Sequence, residues 1–136
     1  MILKISMYFL SLMAVIFLNF AGASAASSGS ELSCNAENGK KVFKKCAACH
    51  SVEKTDKHKT GPNLLGLAER TSGTIEGFKF SRAMRDASIV WNEESLKDFL
   101  EKPRKSIPRN RMAFSGIKDS QDRADVVCFI LNPPEN

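Results

Sequence analysis

Cys46-Ala47-Ala48-Cys49-His50 is the stretch of this 136-residue sequence that decides the fold. Two cysteines with two residues between them, followed at once by a histidine, form the attachment signature of c-type haem. Each thiol can add across a vinyl group of the ring to form a thioether, and the adjacent histidine can then ligate the iron. A bare C-x-x-C is also typical of a redox dithiol or of half a zinc site. The five residues alone leave these alternatives open.

The N-terminal segment has the pattern of an export signal. Lys4 precedes a run from residue 5 to residue 30 without a charge, and residues 7–20 are its densest apolar part. Ala23-Ser24-Ala25 fits the small-residue motif before a cleavage site. We therefore predict a signal peptide over residues 1–25, cleaved near Ala25, and a polar lead-in over residues 26–35. The alternative is an uncleaved N-terminal membrane anchor that faces the periplasm, although the segment is poor in apolar residues beyond Phe20.

The charge pattern argues against a nucleic-acid partner. The net charge is +5, and removal of Lys4 with the leader lowers it to +4. The basic residues are spread along the chain and form no run interleaved with stacking aromatic residues. A basic face that attracts an acidic protein partner is a better use of this charge. A generally solvated basic surface is the alternative.

Three main helices are predicted, and no strand pattern is visible. The first extends from Asn35 to Cys46, the second begins at the N-cap Asn92, and the third begins near Asp119. Pro103 is expected to stop the second helix, and residues 81–86 to form a short one. The intervening loops are long for one small domain. A covalently held haem would supply the core around which they wrap.

Met112 is the best candidate for a second iron ligand. His58 follows His50 by eight residues in a charged loop, where a structural hydrogen-bonding role is expected. Outside the leader the thioether candidates are Met84, in the short helix, and Met112, in a proline-flanked loop. Ligation by His50 and Met112 would fill both axial positions and raise the reduction potential. That arrangement favours an electron carrier over an enzyme.

The chain resembles the class I cytochromes c from about residue 39 to residue 131. The resemblance is carried by these segments: Gly39-Lys-Lys-Val-Phe43, the C-x-x-C-H run, His58-Lys-Thr-Gly-Pro-Asn-Leu64, Gly77-Phe78, Trp91, Leu96 to Pro103, Ile107-Pro108 and Arg111-Met-Ala-Phe-Ser-Gly116. It implies an all-α cytochrome c fold over residues 36–132, with short helical turns and long loops around one covalent haem c, and a tail over residues 133–136.

The same resemblance implies a periplasmic one-electron carrier that is not an enzyme. Such a protein would shuttle electrons between a cytochrome bc complex or dehydrogenase and a terminal oxidase or similar acceptor. It would be a monomer that associates transiently with acidic redox partners at the membrane surface. The basic residues implied to ring the haem edge are Lys44, Lys45, Lys59, Arg104, Lys105, Arg111 and Lys118.

Individual roles also follow from the resemblance. Cys46 and Cys49 would form the haem thioethers, and the Pro62 carbonyl would hold the second ring nitrogen of His50. Arg70 and Trp91 would bind a haem propionate. Ser81 and Asn110 would assist in binding the propionate, and His58 would tie two loops together. Phe114 would lie beside the exposed haem edge. The first and last helices would cross where Gly39 and Phe43 meet Val126 and Phe129.

Four residues depart from the family pattern around the distal side of the haem. Phe80 and Phe99 stand where the family often has tyrosine, Met84 replaces a usual asparagine, and Arg109 replaces a usual glycine. We therefore expect a shifted reduction potential and an altered iron–methionine bond strength.

Two cysteines lie outside the haem motif. In an exported protein Cys34 and Cys128 suggest a disulfide, because Cys34 comes at the beginning of the first helix, Cys128 lies on the last, and these two helices should cross. The alternative is two separate thiols. A disulfide requires the two Cα atoms to lie within about 7 Å of each other, which the sequence does not reveal.

Overall fold

The computed structural model describes residues 33–134, and the predicted signal peptide over residues 1–25 lies outside them. The described chain forms five helices: α1 Ala36–Ala47, α2 Arg82–Asp86, α3 Glu93–Glu101, α4 Pro103–Ser106 and α5 Ser120–Leu131. Its β pairing is limited to one isolated bridge between Thr71 and Val90. The predicted all-α fold with three main helices and long loops is confirmed.

No helix of the described part is long and apolar enough to cross a membrane.

Polar side chains fix the starts of the three main helices, as the sequence predicts. Asn35, Asn92 and Asp119 are the N-caps, and each side chain accepts a hydrogen bond from the backbone N–H three residues on. At α3 the Ser95 hydroxyl also accepts from the Asn92 N–H, which completes a capping box. Each cap satisfies an N–H that the helix itself leaves unpaired, and its removal typically costs about 1 kcal/mol.

Pro103 both ends α3 and begins α4. The sequence suggests a continuous loop from residue 102 to residue 118, whereas the structure forms the helical turn Pro103–Ser106 within it. Proline suits the first position of a helix because its φ is already helical and its missing N–H has no partner there. A residue that stops one helix therefore starts the next, and this turn leads into the segment that carries Met112.

The helices α1 and α5 cross at Gly39, and this close contact positions the haem-motif residues. A Cβ atom at residue 39 would overlap the Asp125 backbone and would lie 2.8 Å from the Phe129 Cβ. One turn further along, the rings of Phe43 and Phe129 are 5.2 Å apart between centroids. Val126 is fully buried beside them. The implied crossing of Gly39 and Phe43 with Phe129 is confirmed, and it requires glycine because only hydrogen fits there.

A disulfide joins Cys34, just before α1, to Cys128 in the last turn of α5. Cys34 and Cys128 are bonded, with their Cα atoms 5.9 Å apart, so the structure selects the bridge over two separate thiols. The two residues are 94 positions apart in the sequence. On the chain-entropy model a loop of this length is worth roughly 4 to 5 kcal/mol through restriction of the unfolded chain.

Asp125 anchors the start of α1 from within α5. Asp125 is only 1% exposed to solvent. Its carboxylate accepts hydrogen bonds from the backbone N–H of Asn35 at 3.0 Å, Asn38 Nδ2 at 2.8 Å and Gln121 Nε2 at 2.8 Å. Burial acts to raise the pKa of this carboxyl, but the three hydrogen bonds outweigh it and hold the pKa below its usual value. The ionised form is therefore the one that the fold stabilises.

The Asp125 carboxylate makes the free energy of unfolding depend on pH. Because its folded-state pKa is depressed, the stabilisation is present above the unfolded-state pKa of about 3.9 and is lost as the pH falls through the folded-state value. We expect Asp125→Asn to lower the free energy of unfolding at pH 7 by about 1 to 3 kcal/mol. The difference from the wild type should shrink towards pH 2. Urea denaturation of the haem-loaded proteins, followed by circular dichroism, measures both values.

The exposed Asp98 on α3 provides the matched control. Asp98→Asn makes the same chemical change on the surface and should alter the free energy of unfolding by less than about 0.5 kcal/mol. A difference between Asp125→Asn and the wild type that stays constant from pH 7 to pH 2 would contradict the proposed linkage.

Candidate haem site

One cavity of 580 Å³ brings together all six residues predicted to bind haem or iron. This volume falls within the usual range for cofactor pockets, about 300–1,000 Å³. The walls come from the C-terminal end of α1, from α3 and from the loops on either side. The six predicted residues that line the cavity are Cys46, Cys49, His50, Arg70, Trp91 and Met112.

The cavity walls suit a large apolar ring. Aliphatic and aromatic side chains predominate among the lining residues, which include Leu64, Leu67, Phe78, Phe80, Met84, Leu96, Phe99, Leu100, Phe114 and Ile130. Most of the corresponding core residues pack against one another as a single cluster. Burial of apolar surface is worth about 25 cal/mol per Å², so an apolar ring between these walls would complete the core.

The two haem-motif cysteines lie at the end of α1 in different environments. Cys46 is buried in the last turn, and Cys49 is exposed just beyond it. The backbone N–H groups of Cys49 and His50 both donate to the Cys46 carbonyl, at 3.0 and 2.9 Å, so the helical turn extends through the motif. Burial raises the pKa of the Cys46 thiol to about 11, against a smaller lowering by Lys45.

His50 is prepared to act as a neutral iron ligand. Its Nδ1 lies 2.8 Å from the Pro62 carbonyl, as the resemblance implies, so Nδ1–H donates and Nε2 keeps its lone pair. Burial is the main cause that lowers the pKa of His50, and nearby Lys59 adds to it, whereas the Pro62 hydrogen bond opposes them. Gly61 gives the ring room, because a Cβ atom there would lie only 2.8 Å from each ring nitrogen.

Met112 and His58 occupy the places that the sequence assigns to them. Met112 is half-buried and lines the cavity on a loop, whereas His58 does not line it. His58 Nε2 donates to the Glu76 carbonyl at 2.8 Å, and its Nδ1 accepts from the Asn63 N–H at 3.1 Å. The prediction that His58 ties two loops together is confirmed.

The four residues suggested for a propionate separate into two groups. Arg70 and Trp91 line the cavity, and Arg70 also donates to the carbonyls of Leu65 and Asn63, at 3.3 and 3.2 Å. Burial lowers the pKa of the Arg70 guanidinium. The group nevertheless stays protonated, as guanidinium groups do in proteins, and so presents N–H donors for a carboxylate at the cavity. Ser81 also lines the cavity. Asn110 does not, because its side chain is bonded to backbone groups of its own loop.

The departures from the family pattern divide in the same way. Phe80, Met84 and Phe99 line the cavity, so their side chains would lie against the ring. Arg109 is exposed outside it, with a φ of 65°. This left-handed conformation is one that glycine adopts without strain and an L side chain rarely adopts. The substitution at residue 109 therefore acts on the backbone of the Met112 loop, not on the cavity wall.

Sequence reasoning missed the backbone supports of the site. Arg111 Nη2 donates to the Lys79 carbonyl at 2.8 Å, which joins the Met112 loop to a segment 32 residues earlier in the chain. Gly61 lies against His50, and Gly116, with a φ of 102°, packs against the carbonyls at the end of α3. The glycine at residue 116 is itself a sequence signal for a positive φ. Nothing in the sequence indicates the Arg111 contact, because its acceptor is a backbone atom.

Comparison with known proteins identifies the family. The family model described as cytochrome c matches residues 36–133. The cytochrome c of Gossypium barbadense is 46% identical over 97 residues, which cover 71% of this chain and 87% of that protein. The cytochrome c of Euglena viridis is 47% identical over 97 residues, which cover 71% of this chain and 94% of that protein. The cytochrome c2 of Blastochloris viridis is 42% identical over 106 residues, which cover 78% of this chain and 84% of that protein. The chain therefore belongs to the cytochrome c family of electron-transfer proteins, which carry covalently attached haem c and are not enzymes.

Proposed function

We propose that this protein is a one-electron carrier in which His50 and Met112 ligate the haem iron from opposite faces and Cys46 and Cys49 form the thioethers. The observation that carries the proposal is the meeting of these four side chains in one cavity. The haem supplies a reversible Fe(III)/Fe(II) couple. The protein supplies a neutral imidazole at His50, a thioether at Met112 and apolar walls that exclude water.

Ligation by both His50 and Met112 would leave no open iron position for oxygen or peroxide, which would explain electron transfer without chemistry on a substrate. The Pro62 carbonyl fixes the His50 tautomer and its ring orientation. Arg70 and Trp91, with Ser81 as a helper, would hold a propionate at the cavity wall. Contacts of this kind would hold the ligands in one geometry in both redox states, which would limit the reorganisation that accompanies electron transfer.

Met112 can be tested against a competitor inside the same cavity. Met84 also lines the cavity and is half-buried, so it is the matched thioether. We expect Met112→Ala to abolish the iron–methionine charge-transfer absorption of the oxidised protein and to lower its reduction potential. The reduced variant should bind carbon monoxide at neutral pH, whereas the wild type should not. Loss of the same absorption in Met84→Leu, with Met112→Ala unaffected, would assign the ligand to Met84.

A basic surface around the cavity supports docking of acidic redox partners. Of the implied basic residues, Lys45 and Arg111 line the cavity itself, and all seven are exposed: Lys44, Lys45, Lys59, Arg104, Lys105, Arg111 and Lys118. Exposed acidic residues lie on α3, at Glu93, Glu94, Asp98 and Glu101. The other exposed acidic residues within residues 33–134 are spread along the chain, at Glu37, Glu53, Asp56, Glu69, Glu76, Asp86 and Asp119. We propose transient docking of the monomer to a cytochrome bc complex or dehydrogenase and then to a terminal oxidase or similar acceptor. Charge of one sign near the electron-transfer site would steer such partners.

Charge reversal tests this surface. The combined change Lys44→Glu and Lys105→Glu should slow reduction by a detergent-solubilised cytochrome bc complex by about tenfold or more at low ionic strength. The effect should fade as salt shortens the Debye length to about 8 Å. Lys54→Glu combined with Lys57→Glu makes the same change in net charge at exposed residues outside the surface and should have a smaller effect. Equal slowing by both pairs would show that net charge alone matters.

We also propose that the protein acts in the periplasm after removal of residues 1–25. The support is the leader pattern of the sequence together with the Cys34–Cys128 disulfide, since disulfides persist in oxidising compartments. The cytochrome c2 of Blastochloris viridis is among the relatives. Mass spectrometry of the haem protein purified from its native cells should give a chain that begins near residue 26. A full-length chain in the membrane fraction would instead indicate an anchor.

A further inference from the structure

Every polar atom of the Asn110 side chain is used by the backbone of its own loop. The residue is only 4% exposed. Its Nδ2 donates to the Pro103 carbonyl at 2.8 Å and to the Ile107 carbonyl at 2.7 Å. Its Oδ1 accepts from the Met112 N–H at 2.9 Å. One side chain therefore joins both ends of α4 to the backbone of the methionine at the cavity.

The loop between α4 and Met112 is shaped so that this side chain turns inward. Ile107 ends α4, and its N–H donates to the Pro103 carbonyl at 3.0 Å. Arg109 then takes its left-handed conformation, and the Asn110 N–H reaches back to the Ile107 carbonyl at 3.3 Å. The Pro103 and Ile107 carbonyls, which each accept one backbone hydrogen bond, both accept a second from Asn110 Nδ2. Asn110 thereby fastens the loop to α4.

We propose that Asn110 is a positioning residue that holds the Met112 backbone against α4 and thereby keeps the Met112 thioether at the iron. The inference rests on the proposed ligation by Met112. The neighbouring Arg111 donates to the Lys79 carbonyl and holds the same loop from its exposed side. Asn110 is the buried anchor of the pair, so solvent does not replace its hydrogen bonds when they are removed.

Such an anchor would act on the fraction of molecules in which the Met112 thioether is bound to the iron. A neutral thioether on a flexible loop would lose conformational freedom each time it binds the iron. A loop already held in its bound conformation avoids that loss, which raises the effective concentration of the ligand. Removal of the anchor should therefore help an external ligand to displace Met112, although the thioether itself is unchanged.

Asn63 is a closely matched control within the same protein. It is also 4% exposed. Its Nδ2 donates to the carbonyls of Glu53 and Thr55, each at 2.9 Å, and its Oδ1 accepts from the N–H two residues on, that of Leu65, at 2.9 Å. The burial, the number of hydrogen bonds and their direction equal those of Asn110. Asn63, however, supports the loop on the His50 side.

The experiment measures displacement of Met112 from oxidised, haem-loaded protein by imidazole, followed by the iron–methionine absorption. We expect Asn110→Leu to raise the affinity for imidazole about tenfold, because the buried hydrogen bonds that hold Met112 in place are lost. Asn110→Ser should give an intermediate value, because a serine hydroxyl can still accept from the N–H two residues on. Asn63→Leu should leave imidazole affinity within twofold of the wild type, even if its urea midpoint falls equally.

Unchanged imidazole affinity in Asn110→Leu, or in Asn110→Ser if the leucine variant does not fold, would overturn the positioning role. An equal rise in Asn63→Leu would also overturn it, because general loosening would then explain the effect. These results differ from failure of the ligation proposal itself. In that case the wild type lacks the iron–methionine absorption, or Met112→Ala retains it, and the role of Asn110 falls with it.

Discussion

The rest of the structure depends on the close approach of α1 and α5 at Gly39. With hydrogen in place of a side chain, the backbone of α1 can lie directly on the Asp125 backbone, and Phe43 can pack against Phe129. The contact holds α1 against α5, and Cys46 in the last turn of α1 lines the cavity. The disulfide and the Asp125 hydrogen bonds reinforce the same crossing from its outer end. Covalent, polar and apolar interactions thus act together at one interface.

The long loops are ordered by side chains that replace backbone partners. Asn63 and Asn110 each donate twice to carbonyls and accept once from an N–H, and each supports the loop on one side of the proposed iron site. Buried backbone groups must find partners whether or not a helix or strand supplies them. Asparagine carries both donors and an acceptor on a short side chain. Residues 33–134 therefore hold a cavity between loops without a sheet.

The distal side of the cavity is where this chain differs most from the family pattern that it resembles. Phe80, Phe99 and Met84 make its wall more apolar, and Arg109 places a left-handed turn within the Met112 loop. With the ligation proposed above, a more apolar wall would disfavour the higher charge of Fe(III), whereas backbone strain at Arg109 would oppose the hold on Met112. The two effects act on different properties, the reduction potential and the ligand occupancy.

Local rules acting within a few residues allowed the sequence by itself to predict the haem motif, a first helix that begins at Asn35, and the capped helix starts at Asn92 and near Asp119. The small number of thioethers outside the leader pointed to Met112 as the second iron ligand, and Met112 lines the cavity. Only the tertiary structure decided the Cys34–Cys128 bridge, because its cysteines are 94 positions apart and the distance between them depends on the helix crossing. Burial of Asp125 and the inward turn of Asn110 were likewise beyond the sequence, since polar residues at these positions would be expected on the surface. Their partners are backbone atoms or distant side chains, which residue types alone do not identify.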